Sequence, residues 1–230
     1  MTNLDSRNLR GLLVAVLLSW FLWDTPFIYP VRLFATMCHE SGHALAALAT
    51  GGRVFSIQIA PNTAGVTLTQ GGWPLAVVSG GYLGSVVFGC GIILLASHRR
   101  ASVYVLECLG ALFLGLTALY ARDGFTVLYG LTAGFLLWRI GRTAQPDTEF
   151  YVAQTLGVIT AAMALMDIRT LLPGAGLLVG VNGAPGTTDA QALAQMTHLP
   201  ALFWALLWAA LSVGATVWVL RQSLGRRRSD

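Results

Sequence analysis

Apolar residues in this chain come in long runs, broken by short polar or Gly/Pro-rich stretches. A helix needs about 20 apolar residues to cross a hydrocarbon core, so each long run predicts a membrane span. The first covers residues 9–28, behind a polar head with Arg7 and Arg10. Trp20, Trp23 and Tyr29 form an interfacial belt and no small-residue cleavage site is evident, so a first span is expected rather than a signal peptide. Pro26 and Pro30 are expected to end it, with a second helix over residues 31–49 beginning at once. Further spans are expected at residues 73–96, 103–120, 125–140, 150–172 and 200–220.

After Gly51 and Gly52 the period changes from helical to two. Val54, Ser56, Gln58 and Ala60 alternate with Phe55, Ile57 and Ile59; residues 61–65 can turn, and residues 66–69 alternate again, which predicts a β-hairpin. Such a hairpin either caps the preceding helix or offers an unpaired edge to an extended peptide. Gly80, Gly81, Gly84, Ser85 and Gly89 in the next span are spaced for close helix packing. A Gly-rich polar connection at residues 173–188 contains Asn182 and Pro185, and a short amphipathic stretch at residues 189–198 precedes the last span.

Composition narrows the class. With 230 residues, 55% of them hydrophobic and 10% charged, the chain is too apolar for a soluble domain of its length. The expectation is a single integral-membrane domain over residues 1–230: an all-α polytopic membrane protein of about six or seven transmembrane helices, with one small hairpin. All 14 basic residues are Arg, and no basic patch carries interleaved aromatics, so the net charge of +4 reads as anchoring at a lipid bilayer and no nucleic-acid partner is expected. Cys38, Cys90 and Cys108 fall within apolar runs, where a thiol packs as a small hydrophobe, and no disulfide framework is expected.

The second helix carries the chemistry: Cys38-His39-Glu40-Ser41-Gly42-His43 is an H-E-x-x-H pattern. Positions i and i+4 share a helix face, so His39 and His43 can offer two ring nitrogens to one metal ion, and Glu40 can take a proton from water held there. A lone histidine in an apolar helix is more often a hydrogen-bonded core residue. Two histidines and a glutamate, however, would leave three polar groups to satisfy in hydrocarbon. A catalytic zinc usually has three protein ligands, and the third donor is open among Asp123, Asp167, Asp189 and His198. Asp189 leads, because the turn before it can lower a carboxylate to the site, whereas Asp167 has Arg169 nearby as an ion partner and Asp123 sits in a tight turn.

On His39-Glu40-Ser41-Gly42-His43, the hairpin after Gly51-Gly52-Arg53, Gly80-Gly81-Tyr82-Leu83-Gly84 and Thr188-Asp189-Ala190, the chain resembles the site-2 protease family of intramembrane zinc metalloproteases, in its short bacterial B-type branch. The resemblance implies a zinc ion on His39, His43 and Asp189, Glu40 as catalytic base, and Asn182 as a substrate-binding residue. It further implies a hairpin that receives a membrane-protein substrate. The chain departs from the better-known pattern in that Asn182 stands one residue nearer the aspartate and Ala190 replaces a glycine. No PDZ or CBS module is expected. The implied activity is hydrolysis of peptide bonds in transmembrane or juxtamembrane segments, with a bacterial inner-membrane, multi-pass location. The alternatives are a catalytically silent metal-binding assembly factor and a zinc hydrolase of lipid amides. In a seven-span count Arg99, Arg100, Arg139, Arg142 and the arginines of residues 221–228 fall on one side, which the positive-inside rule makes cytoplasmic. The resemblance implies a cytoplasmic hairpin on the opposite side, so the two expectations for orientation diverge.

Overall fold

The computed structural model describes residues 25–166 and 188–225. The first expected span lies almost wholly outside these residues, as do Asp167, Arg169 and Asn182. Among the described residues the order is α1 (Tyr29–Ala49), β1 (Arg53–Ile59), β2 (Gly65–Gln70), α2 (Pro74–Ala96), α3 (Arg99–Tyr120), α4 (Gly124–Thr143), α5 (Pro146–Met166), α6 (Asp189–Thr197) and α7 (Ala201–Gly225). Among the described residues three helices, Pro74–Ala96, Gly124–Thr143 and Ala201–Ser223, are long and apolar enough to cross a membrane.

Pro30, expected to separate two helices, lies instead in the first turn of α1. Its ring presets φ there, and the missing N–H is one that a helix start leaves unpaired in any case. α1 ends where Gly51 takes φ +82° and the Gly52 N–H donates to the Ala47 carbonyl at 2.8 Å. That closure turns the chain back along the helix it has just left.

α2 packs antiparallel on α1, and glycine sets the spacing. A Cβ on Gly42 would strike the Gly80 carbonyl and lie 3.1 Å from the Gly84 Cα, so the backbones touch with no side chain between them. Gly89 meets Ala161 of α5 in the same manner, and α3 and α4 cross where Gly110 meets Gly134. The apolar window of α2 is 67% buried against 28% for those of α4 and α7, which makes α2 the central helix and leaves the other two as outer faces. Phe34, Met37 and Cys38 of α1 join Leu106, Phe113 and Leu137 in the main core.

The hairpin is antiparallel, with Ile57 opposite Thr67 and Ile59 opposite Gly65. The expected alternation fails at one residue. Val54 pairs with Thr69 and Ser56 with Leu68, so Phe55 is a bulge. It is exposed, and does not share the buried face of Ile57 and Ile59. The outer edge of β1 is covered by the α3–α4 junction: Ile57 bridges to Ala121, and the Ile59 N–H donates to Thr126 Oγ1 at 2.7 Å. β2 has no strand neighbour besides β1 among the described residues. The hairpin lies along α1, its turn reaching the helix start through Tyr29 Oη to Pro61 O at 2.7 Å.

Candidate metal centre

His39, Glu40 and His43 lie in the middle of α1, where Gly42 holds the helix hard against α2. Each offers one donor atom, and these atoms lie within 4.8 Å of one another. The His43 ring is fixed from behind, since its Nδ1 donates to the Val77 carbonyl at 2.7 Å. A carbonyl only accepts, so in the neutral ring Nε2 carries the lone pair. That Nε2 stands 3.2 Å from Nε2 of His39. Gly81 is opposite, and a Cβ there would land on both ring nitrogens. The spacing that suggested helix packing at Gly81 therefore serves the histidines.

The third group comes from the far end of the chain. Thr188 caps α6: its hydroxyl accepts from the Gln191 N–H at 3.2 Å, and the Gln191 side chain accepts from the Thr188 N–H at 3.0 Å. This reciprocal box places Asp189 in the first turn, where a carboxylate also suits the positive helix end. Asp189 Oδ2 lies 3.1 Å from His39 Nε2 and 3.4 Å from His43 Nε2. α6 is held there by Ala190 and Leu193, which pack with Val78 and Tyr82 of α2 and Trp208 of α7.

The two other candidates among the described residues, Asp123 and His198, stand elsewhere. Asp123 caps α4, accepting from the Thr126 N–H at 2.9 Å, and His198 is the exposed left-handed C-cap of α6.

These residues fit a metal ion. Both oxygens of Asp189 are buried without a hydrogen-bond partner, although the residue is 2% exposed. Ligands about 2.0–2.1 Å from a tetrahedral ion stand about 3.3 Å apart. The three separations here, 3.1, 3.2 and 3.4 Å, lie around that value. Two imidazole nitrogens and one carboxylate are also a donor set that zinc accepts.

Glu40 stands beside this cluster with a support that the sequence reading did not single out. Thr67 Oγ1 of β2 donates to Glu40 Oε2 at 2.7 Å, while Oε1 takes no hydrogen bond among the described residues. A Cβ on Gly65 would strike Oε1, so the glycine at the start of β2 keeps that oxygen clear. Thr67 and Gly65 carry no motif signal. The cap of α6 does, because Thr188-Asp189-Ala190-Gln191 reads as a capping box.

A family model, Peptidase M50B-like, matches residues 12–219. The chain belongs to the peptidase M50B-like family. This agrees with the resemblance read from the motifs, and points to a metallopeptidase of the site-2 protease type. Family and apolar helices together indicate an integral membrane protein. No curated protein and no solved structure matches the chain.

Proposed function

We propose that the protein is a zinc-dependent endopeptidase that cuts transmembrane or juxtamembrane segments of membrane proteins, as a multi-pass protein of a bacterial cell membrane. The observation that carries this reading is the approach of Asp189 to both motif histidines while Glu40 stands free at one oxygen. His39, His43 and Asp189 would hold the ion. When bound, zinc supplies Lewis acidity toward water and the scissile carbonyl.

Glu40 accepts the proton of the attacking water at Oε1 and later returns it to the leaving amine. Thr67 holds the other carboxylate oxygen, so the base meets water in one orientation. A silent metal-binding factor has no use for that arrangement. The substrate must be extended at the cut, because a helical carbonyl is already bonded. β2 is the edge that an extended segment can join, since the far side of β1 is covered. The hairpin's Thr67 and Gly65 would thus lie between peptide and base.

The test is Glu40→Gln, which keeps shape and removes the proton acceptor. Purified variant should bind zinc like the native protein and lose cleavage of a transmembrane substrate by about a thousandfold or more. Undiminished cleavage would remove Glu40 from the mechanism.

A further inference from the structure

The two motif histidines are held in different ways. His43 is tied by its Nδ1–H to Val77, the kind of rear hydrogen bond that usually orients a metal-binding imidazole. Nδ1 of His39 is buried and has no hydrogen-bond partner among the described residues. An imidazole with nothing behind it can turn about its Cβ–Cγ bond, and that turn swings Nε2 away from the other donors.

Besides His43, its companion in the cluster, the ring that meets His39 is that of Tyr82. The two rings lie edge to face, with centroids 5.0 Å apart and planes at 83°. Tyr82 is backed by Trp208 of α7, stacked at 4.4 Å and 15°. Trp208 is fully buried, with Trp204 tilted beside it at 6.3 Å. Edge-to-face and offset stacks are favoured over other ring arrangements. The column therefore runs from α7 through α2 to the ring that, among the described residues, lacks a rear hydrogen bond. It also packs against Ala190 and Leu193, which follow Asp189 on α6.

We propose that Tyr82, backed by Trp208, is the positioning residue for His39, replacing with ring packing the hydrogen bond that Val77 supplies to His43. This rests on the metal reading of the site, and its tests are made on metal binding in the Glu40→Gln background, where proteolysis plays no part. Tyr82→Phe keeps the ring and should hold zinc within about twofold of the Glu40→Gln parent. Tyr82→Leu should weaken zinc about tenfold in a chelator competition, the range seen when a support behind a metal-binding histidine is removed. It should also change the visible spectrum of the cobalt-substituted protein, which reports ligand geometry.

Trp208→Leu, which leaves Tyr82 in place without its backing, should move both readouts in the same direction. Val86→Ala, a cavity in the separate cluster among α2, α5 and α7, is the control for general loosening and should move neither. The proposal fails if Tyr82→Leu and Trp208→Leu bind zinc like the parent with an unchanged cobalt spectrum. It fails equally if Val86→Ala weakens zinc as much, or if Tyr82→Phe is as damaged as Tyr82→Leu, because the hydroxyl would then be the active part. Should Tyr82→Leu not fold, Trp208→Leu alone decides the matter. Absence of zinc from the parent itself would refute the metal reading and is distinct from all of these.

Discussion

His39, Glu40 and His43 share one stretch of α1, whereas Asp189 arrives at the first turn of α6, a helix of only 9 residues. The first group converges through helix periodicity alone. The second converges only when α6 is packed on α2 and α7. Their supports differ as well. Around Gly42 the backbone of α1 lies on the backbone of α2, and nothing soft can give way. Around Asp189 the support consists of a capping box and side-chain contacts, each removable separately at moderate cost. One site is thus built from a rigid half and an adjustable half.

The largest effect is expected from removing a donor from each half. His43→Ala and Asp189→Ala should each weaken zinc by about a hundredfold or more, read by metal analysis after dialysis against a chelator. Full zinc in Asp189→Ala would leave α1 as the whole site and α6 as packing. Next comes Gly42→Ala, whose methyl meets the Gly80 carbonyl, a group that cannot rotate aside. A destabilisation of about 3 kcal/mol is expected from forced helix separation, measured by thermal unfolding in detergent. A near-native melting temperature would show that the rigid half is softer than its contacts imply.

Smaller effects sharpen the picture without threatening it. Thr67→Val removes the hydroxyl that holds Glu40 Oε2, and kcat should fall about tenfold with zinc content unchanged. A parallel loss of zinc would mean that β2 supports the ligands and not the base. Smallest is Thr188→Ala, which should cost about 1 kcal/mol of stability through the lost cap, with most of it restored in Thr188→Ser. If the serine variant melts like the alanine variant, the cap is not what holds α6.

The same division explains what could be read from the chain before its fold was known. The H-E-x-x-H helix, the hairpin and the placement of α2, α3, α4 and α7 follow from local period and punctuation, so they are legible to within about five residues, whereas the end of α5 expected at residue 172 lies outside the described residues. Asp189 was one of four candidates, because choosing among distant donors depends on which element packs on which. Strict alternation puts Phe55 on the face of Ile57 and Ile59, but a bulge inserts one residue without any turn residue to mark it. Thr67 and Gly65 were invisible as partners of Glu40 for a similar reason: a single threonine or glycine in a strand has many uses. Gly81 shares the small-residue spacing of its neighbours but faces the histidines. Its small size serves the histidine rings, while Gly80 and Gly84 beside it serve the helix contact.

The position of Asp189 also sets an order of events. A chain is made and inserted from its amino end, so His39, Glu40 and His43 enter the bilayer long before the carboxylate that approaches them. Until α6 has packed on α2 and α7, His39, Glu40 and His43 stand without the carboxylate of Asp189. Of the four side chains the carboxylate is therefore the last to be made, and the approach of Asp189 to both histidines is complete only once α6 has packed on α2.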